Sequence, residues 1–270
     1  MNHHSYPLPL LGQVAVVTGA LGKLGPVWVR ALLDAGAKVA GLDRPGAVGG
    51  PGWEDLVASA GDHLMLVEAD VTDSASLAEA RNAVLNNLGR TSVLVNNAGI
   101  DFPPAKGRGT PIEGISLEAS LKVLSVNSLG AFACCQAFLE DLKSTRGTII
   151  NIGSLYASVS PDARMYDHMP CDPPFLKPPA YGASKAALVN LSRWLATHLA
   201  KDGIRVNCLS PGGVLGGQDP EFIRKFSARV PLGRLAESED LIGPLVFLAS
   251  PMSRYVTGQN LQVDGGFTLW

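Results

Sequence analysis

Seven short apolar runs constrain the fold of this chain more than any other feature, because their hydrophobicity is unbroken rather than alternating. This pattern indicates strands buried on both faces, as in a parallel sheet. We predict strands at 13–19, 38–43, 63–70, 92–99, 147–154, 204–210 and 260–264. Segments with helical periodicity lie between them, and we expect helices at 24–35, 73–88, 116–143, 180–202 and 238–249, with N-caps at Asp73, Ser116 and Ser238.

This alternation of strands and helices predicts an α/β fold, a single doubly wound parallel sheet with helices on both faces. The sequence contains neither an internal repeat nor a linker that would separate a second domain, so we expect one domain over 1–270. One tract, 155–179, is irregular and rich in Pro, Asp and Ser. A loop of this length inside a compact domain is usually functional or mobile.

Charge and cysteine content argue against several functions. A net charge of −2 and the lack of a basic tract give no attraction to nucleic acid or an anionic membrane. The four cysteines lack metal-ligand or disulfide spacing, so we expect buried thiols in a reducing compartment and no metal site. No apolar run reaches the roughly 18 residues of a membrane span, and the N-terminus does not resemble a signal peptide. A cytoplasmic protein that acts on a small molecule is the expectation.

The stretch TGALGKLG (18–25) joins the first predicted strand to the first predicted helix. Gly19, Gly22 and Gly25 permit a tight turn and a close backbone approach, and the helix N-terminus is left facing an anionic pyrophosphate. A glycine-rich turn is weak evidence by itself, but the strand before it and the helix after it are correct for this use. The turn therefore predicts a dinucleotide-binding sheet of the Rossmann type.

The end of the second strand bears on the choice of dinucleotide. Asp43 lies 18 residues beyond Gly25, where a carboxylate can accept hydrogen bonds from the adenosine ribose and would repel a 2′-phosphate. Arg44 and Lys23 favour the opposite choice, since either cation could contact a 2′-phosphate. The sequence thus favours NAD and leaves NADP possible.

Four further segments resemble the short-chain dehydrogenase/reductases in order and position. They are VNNAG (95–99), VNSLG (126–130), NIGS with YGASK (151–154 and 181–185) and LSPGGV (209–214). With the glycine turn and the closing VTGQNLQVDGG (256–266), the resemblance covers nearly the whole chain from about residue 10. It points to the shorter members of the family and to a bacterial branch associated with sugar modification. The resemblance implies an NAD(P)-dependent oxidoreductase that acts on CH–OH groups.

The resemblance also implies a catalytic set of Asn127, Ser154, Tyr181 and Lys185. Tyr181 and Lys185 are four apart, so they share one helix face and can enter one site. A tyrosine hydroxyl titrates near pH 10, and a lysine ammonium together with a nicotinamide cation would lower its pKa. Ser154 would hold the substrate oxygen, and in this family Asn127 would hold a water that links Lys185 to solvent.

The family implies that the cofactor lies along the ends of the strands. The backbone after the fourth strand would run beside it, Asp70 and Val71 would contact the adenine, and Val214 would reach the carboxamide. The full set of expected cofactor contacts is Gly19, Gly22, Lys23, Leu24, Asp43, Arg44, Asp70, Val71, Asn97, Ala98, Gly99, Tyr181, Lys185, Pro211, Gly212 and Val214.

Three features depart from the family pattern. Lys23 occupies the turn position where the family usually has its second glycine, and the glycine is one earlier, at Gly22. Gly216 stands where the family often has a carboxamide-binding Thr; Gln218 or a water is expected to compensate. Between Ser154 and Tyr181 there are 26 residues, far more than usual. We interpret 155–179 as a wall or lid over the substrate, with a decorative surface loop as the alternative.

A second lid is expected at about 213–234, where the family usually places a mobile substrate loop. The two tracts supply polar side chains that suit a sugar, sugar acid, polyol or hydroxy acid, with Tyr156 and Gln218 as substrate contacts: Tyr156, Arg164, Tyr166, His168, Lys177, Gln218, Arg224, Lys225 and Arg229.

Two other functions stay open at this point. The spacing of the glycine turn resembles that of sugar-nucleotide epimerases and dehydratases, which use NAD without net consumption, although they carry an additional substrate domain. A nucleotide sensor without chemistry is the third hypothesis, and the complete catalytic set argues against it. The helices at 116–143 and 180–202 resemble those that pair subunits in the family, so a homotetramer is expected.

Overall fold

A computed structural model describes residues 8–102, 109 and 111–270. Seven parallel strands form one sheet in the order β3-β2-β1-β4-β5-β6-β7. They are β1 (Val14–Thr18), β2 (Lys38–Asp43), β3 (Leu64–Glu68), β4 (Val93–Asn96), β5 (Thr148–Ile152), β6 (Arg205–Pro211) and β7 (Asn260–Val263). All seven predicted strands are confirmed, and the fourth ends three residues earlier than expected because the chain turns at Asn97.

Nine α-helices occur in the described part of the chain. They are α1 (Gly25–Asp34), α2 (Trp53–Ala60), α3 (Ser74–Asn87), α4 (Leu117–Leu124), α5 (Ala131–Ala137), α6 (Leu139–Thr145), α7 (Pro179–Leu199), α8 (Pro220–Ser227) and α9 (Ile242–Ala249). The sequence did not predict α2 or α8. Short 3₁₀ turns extend α7 over Ala200–Asp202 and precede α9 at Ser238–Leu241.

The predicted helix 116–143 is not continuous. A π-helical segment, Ser125–Gly130, separates α4 from α5, and the helix breaks again at Phe138. π-helical insertions often occur at functional sites, and this one contains Asn127.

Two of the three predicted N-caps are confirmed. The Asp73 carboxylate accepts from the N–H of Ala75 at 2.9 Å, and the Ser116 hydroxyl accepts from the N–H of Ala119 at 3.1 Å. The prediction for Ser238 is wrong, because this residue already belongs to the 3₁₀ turn. Glu237 is the capping position, and its N–H donates to the Asp240 carboxylate at 2.8 Å.

Helices cover both faces of the sheet, as predicted. On one face α1, α2 and α9 bury Trp28, Leu56 and Leu245 against the strands. On the other face α3, α5, α6 and α7 form a second core that includes Phe138 and Leu142. The strand order reverses between β1 and β4, and in an open α/β sheet this point marks the crevice where ligands bind, at the carboxyl ends of the strands.

The four cysteines are free thiols; Cys134, Cys135 and Cys208 are buried as expected, whereas Cys171 in the tract 155–179 is only half-buried. Burial raises the pKa of Cys135 to about 12 and that of Cys208 to about 11. In the part of the chain that the structure describes, no single helix is long and apolar enough to cross a membrane, whereas the bent pair Leu117–Ala137 and Leu139–Thr145 has the length and composition of a broken span.

Candidate active site

A cleft of about 1580 Å³ runs along the carboxyl ends of the strands. Its lining includes every predicted cofactor and substrate residue and three of the four predicted catalytic residues, Ser154, Tyr181 and Lys185. The fourth, Asn127, is buried beside the cleft. The fold therefore brings together, from well-separated sequence segments, the residues that the sequence selected.

The glycine turn and the end of β4 are locked together at the cleft floor. Gly19 has a φ of +64°, and a Cβ there would lie 2.8 Å from the Cα of Ala98. The Thr18 hydroxyl accepts the N–H of Asn97 at 3.1 Å and that of Ala98 at 3.0 Å. The Asn97 side chain donates to the Gly19 carbonyl at 2.9 Å and accepts from the Trp28 indole at 2.7 Å. The side chain of Asn97 thus holds the glycine turn and helix α1 together.

The N-terminus of α1 opens into the cleft without a side-chain cap at Leu24. A Cβ on Gly25 would lie 2.3 Å from the Ala20 carbonyl oxygen, so only glycine allows the helix to start so close to the turn. Free backbone N–H groups and the helix dipole at this position favour an anion. The turn fits the pyrophosphate of a dinucleotide.

The Asp43 carboxylate is fixed by two backbone donors, the N–H of Leu21 at 2.8 Å and that of Arg44 at 2.9 Å. The contact with Leu21 was not predicted, and no sequence pattern marks it. Asp70 accepts from the Thr72 hydroxyl at 2.7 Å and from its N–H at 2.8 Å, and these bonds hold the pKa of Asp70 below its usual value. Both carboxylates are thereby fixed at the end of the cleft where the sequence predicts the adenosine.

Lys23 and Gly216, two residues that depart from the family pattern, lie next to each other in the cleft. The Lys23 ammonium lies 3.5 Å from the Val214 carbonyl oxygen, and a Cβ on Gly216 would lie 2.5 Å from Lys23 Cε. Gly216 is therefore the residue that makes room for Lys23. Because Lys23 extends toward the loop after β6, it is directed away from Asp43, and its expected contact with a 2′-phosphate finds no support in this geometry.

Gln218 braces the same loop. Its side-chain amide donates to the Val214 carbonyl at 2.6 Å, and its Oε1 accepts the N–H of Gly216 at 2.7 Å. Both ends of the amide are used within the loop, so the contact with substrate or carboxamide remains a prediction.

Tyr181 lies in the first turn of α7, and Lys185 lies one turn later on the same face. The Lys185 ammonium donates to the Ile152 carbonyl at 2.7 Å and lies 5.8 Å from the centre of the Tyr181 ring. Ser154 follows β5, and its hydroxyl accepts the N–H of Tyr156 at 3.2 Å. Strand β5 and helix α7 thus place a hydroxyl, a phenol and an ammonium in one small space.

Burial dominates the ionisation of this group. It raises the pKa of Tyr181 to about 12, the Asp101 charge adds to this effect, and a hydrogen bond with Ser154 opposes it. Burial also lowers the pKa of Lys185 to about 8. The sequence argument expected a lowered pKa for Tyr181. In the protein alone the shift has the opposite sign, because the desolvation of the phenolate outweighs its neighbours.

Asn127 connects three segments behind the cleft. Its Oδ1 accepts the N–H of Ile100 at 2.8 Å, and its Nδ2 donates to the Ile100 carbonyl and to the Ser184 hydroxyl, both at 3.0 Å. The side chain is fully engaged, so the water-binding role stays a prediction. Sequence analysis overlooked Ser184, although it lies inside the YGASK motif.

The two tracts predicted as lids pack on each other, and we call 155–179 together with 213–234 the cap. Its apolar side chains belong to a third cluster, separate from the two cores of the sheet, that contains Leu155, Met165, Tyr166, Phe175, Phe226 and Val230 of the cap and also Leu235 and Phe267 from outside it. Two ion pairs join the two tracts, Arg229 to Asp162 at 3.0 Å and Lys225 to Asp167, and the His168 ring contacts the Asp219 carboxylate at 2.9 Å. The tract 155–179 is therefore packed into the fold, and its role as a wall or lid over the substrate stays a prediction.

These contacts also separate the polar side chains of the cap into two groups. Arg164, Arg224, Lys225 and Arg229 are paired with carboxylates within the cap. In contrast, five members line the cleft: Tyr156, Tyr166, His168, Lys177 and Gln218.

Lys177 is the cation of the cap that lies nearest to Tyr181. Its ammonium lies 5.1 Å from the centre of the Tyr181 ring and 5.8 Å from that of Tyr156, and it donates to Asp101 at 2.6 Å. From the sequence, Lys177 was predicted only as one of several polar residues, and Asp101 was not predicted. Among the described residues, no group of three or more His, Cys, Asp or Glu side chains could hold a metal ion.

Comparison with known proteins agrees with this geometry. The short chain dehydrogenase family model matches residues 13–167, and that of enoyl-(acyl carrier protein) reductase matches 173–268. The chain is 32% identical to a cyclohexanol dehydrogenase of Rhodococcus sp. (strain TK6), over 97% of this chain and 98% of the relative. It is also 32% identical to a cis-4-hydroxycyclohexanecarboxylate dehydrogenase of Sinomonas cyclohexanicum, over 95% and 96%.

Solved structures give the same result. A short-chain dehydrogenase from Leptospira borgpetersenii with bound NAD+ matches with a TM-score of 0.84 and 31% identity, over 99% of this chain and 97% of that one. A gluconate 5-dehydrogenase from Burkholderia cenocepacia, in complex with NADP and tartrate, matches with a TM-score of 0.82 and 27% identity, over 98% of both chains.

Proposed function

Since the chain belongs to the short-chain dehydrogenase family and is an oxidoreductase that acts on CH–OH groups, we propose that it interconverts a secondary alcohol and a ketone by hydride transfer. The substrate is a polar molecule, such as a sugar, sugar acid, polyol or hydroxy acid. The observation that carries the proposal is the placement of Tyr181 beside Ser154 and one helical turn from Lys185, inside the cleft.

Each side chain has a separate task in this proposal. In oxidation Tyr181 removes the hydroxyl proton of the substrate, and in reduction it returns that proton to the carbonyl oxygen. Ser154 donates a hydrogen bond to the same oxygen and stabilises the charge that develops on it. Lys185, when protonated, stabilises the phenolate form of Tyr181. A bound nicotinamide supplies the hydride acceptor or donor.

We propose that NAD is preferred over NADP. The support is the Asp43 carboxylate, which its two backbone donors hold at the adenosine end, together with the direction of Lys23 away from it. Binding of both cofactors should be compared in the wild type and in Asp43→Ala by fluorescence titration. Tighter binding of NADP than NAD by the wild type would reverse the assignment.

We propose that the whole chain acts as one nucleotide-binding domain and assembles as a homotetramer. The support for assembly is an exposed apolar stripe on α4, the π-helical segment and α7, formed by Leu117, Leu121, Leu129 and Trp194. Light scattering of the wild type and of Leu121→Glu tests it, and a wild-type monomer would refute it. The free thiols support a cytoplasmic location.

The test of the reaction is a dehydrogenase screen over sugars, sugar acids, polyols and hydroxy acids with both cofactors, followed by Tyr181→Phe. This substitution keeps the ring and removes the transferable proton. We expect cofactor binding to be retained and turnover to fall by about 10²- to 10⁴-fold. Near-normal turnover in the variant would contradict the role of Tyr181.

A further inference from the structure

Lys177 is a buried ammonium in the wall of the cleft, close to the tyrosine that performs the proposed chemistry. Only 6% of its side chain is exposed, whereas 36% of the side chain of its partner Asp101 is exposed. The two residues come from different segments, the end of the long insertion and the stretch after β4. Their contact therefore forms where the cap meets the sheet.

An ammonium has three N–H donors, and Asp101 is the only acceptor that Lys177 has among the described residues. The aromatic rings of Tyr156 and Tyr181 flank the ammonium but accept no conventional hydrogen bond. Lys177 lines the cleft, and its other two donors have no acceptor among the described residues. Burying a cation is favourable only with well-placed anionic or polar partners, so this position favours an oxygen-rich ligand.

The surrounding charges agree with an anion. The groups that face the Tyr181 end of the cleft are Lys185 from α7, Lys177 from the cap and Asp101 from the segment after β4, together with the neutral hydroxyls of Tyr156, Tyr166 and Ser154. With both lysines protonated, Lys177, Lys185 and Asp101 together carry one excess positive charge, while Asp219 of the cap also lines the cleft and contacts His168.

We infer that Lys177 forms a carboxylate-binding subsite next to Tyr181, and hence that the substrate is a hydroxy acid rather than a neutral polyol. The inference rests on the proposed function. In the chain alone, the Asp101 carboxylate accepts the hydrogen bond of the Lys177 ammonium. The carboxylate of the substrate binds the Lys177 ammonium in place of Asp101 or beside it. The more exposed Asp101 side chain can be solvated by water instead, whereas the buried Lys177 cannot.

Two pairs of probes isolate the carboxylate. Gluconate is compared with glucitol, and threonate with threitol, since each polyol replaces the one carboxylate of its acid by a hydroxymethyl group. Binding is measured by calorimetry in the presence of NAD, in a Tyr181→Phe background that prevents turnover. A charged hydrogen bond to Lys177 should make at least one acid bind roughly 10- to 100-fold more tightly than its polyol.

Three further variants in the same background define the role of Lys177. Lys177→Met should abolish the preference for the acid and leave polyol binding nearly unchanged, and Lys177→Arg should retain part of the preference. Asp101→Asn should strengthen acid binding, because it removes the competing carboxylate. The Lys177→Met/Asp101→Asn double variant removes both charges of the ion pair. If Lys177→Met alone folds poorly, the double variant should show the same loss of preference for the acid over the polyol.

A purely structural ion pair predicts a different result. In that case Lys177→Met and Asp101→Asn would both weaken binding of acid and polyol alike. This outcome, or equal binding of acid and polyol in both probe pairs, overturns the inference.

Turnover of the wild type with the same probes separates this inference from the proposed function. Selective binding of the acid without turnover of any substrate in the screen would support the subsite and refute the oxidoreductase reaction. Turnover of a substrate without tighter binding of the acid would support the oxidoreductase reaction and refute the subsite.

Discussion

The two halves of the cleft are held by different interactions. In the cofactor half, short side chains bond directly to backbone, as Thr18 and Asn97 do between the glycine turn and the end of β4. In the substrate half, the cap has its own apolar cluster around Phe226 and is joined by ion pairs such as Arg229–Asp162. One half is fixed by main-chain geometry, and the other by packing between long side chains.

In the proposed function, this difference separates binding of the common cofactor from recognition of a particular substrate. The cofactor half depends on the spacing of parallel strands, so nearly every change in it disturbs the sheet. The apolar cluster of the cap is separate from the two cores of the sheet, so we expect changes within it to disturb the strands less. Loops on a rigid scaffold carry specificity for this reason.

The largest effect is expected in the cofactor half. Gly19→Val places a branched side chain at a φ of +64°, where even a Cβ would lie 2.8 Å from the Ala98 backbone. We expect NAD binding to weaken by about 100-fold or more, since the strained turn alone costs on the order of 1–3 kcal/mol. Fluorescence titration with NAD measures it.

Gly243→Ala is the matched control for this substitution, because a Cβ at that position in α9 meets open space. It should leave NAD binding within about twofold of the wild type. Tight NAD binding by Gly19→Val would show that the turn is not the part of the cleft that requires close backbone approach.

The same difference explains what the sequence could predict. Buried parallel strands produce unbroken apolar runs such as 38–43, and the turn after β1 needs glycine, so the sheet and the cofactor half were readable from local patterns. The contact between Lys177 and Asp101 has no local pattern, because residues 76 positions apart form it.

The missed helices have related causes. Helix α8 begins at Pro220 behind an Asp219 cap and lies inside a tract that was interpreted as a loop. Helix α2 is short, and its periodic signal comes mainly from Trp53 and Leu56. The π-helical segment at Ser125–Gly130 adds one residue to a turn, and helical periodicity over such a short stretch does not reveal that.

The rate of carbonyl reduction should depend on pH through Lys185, which lies where the two halves of the cleft meet. Burial lowers the pKa of Lys185 to about 8, while Tyr181, at about 12, stays protonated over the accessible range. Carbonyl reduction needs the proton of Tyr181 and the charge of Lys185. Its kcat/KM should therefore be level below pH 8 and fall by about tenfold per unit above it. A profile that rises from pH 7 to 10 would contradict this assignment of Lys185.

The substrate half should respond to loss of its apolar centre. Phe226 stacks on Phe267 at 4.6 Å and is almost fully buried. Phe226→Ala removes packing worth about 3–5 kcal/mol, and we expect this loss to loosen the cap without unfolding the sheet. The KM for substrate should rise by roughly tenfold while the Kd for NAD changes little.

Phe138→Ala provides the comparison, because Phe138 is equally buried in a core of the sheet. It should lower the midpoint of thermal unfolding and weaken NAD binding together. If Phe226→Ala weakened NAD binding to the same extent, the two halves would be one cooperative unit.

The smallest effect is expected where Lys23 and Gly216 join the two halves. Gly216→Thr restores the residue that the family often has, but its Cβ would lie only 2.5 Å from Lys23 Cε and 2.6 Å from Lys23 Nζ. Because the end of a lysine can move, we expect NAD binding to weaken only about fivefold, near the lower end of overpacking effects.

In Lys23→Gly/Gly216→Thr the overlap is gone, so NAD binding should recover, and the double-mutant cycle should show coupling between the two positions. Gly50→Thr, which meets open space, should change nothing. Additive losses at Lys23 and Gly216 would show that the two departures arose independently and do not compensate each other.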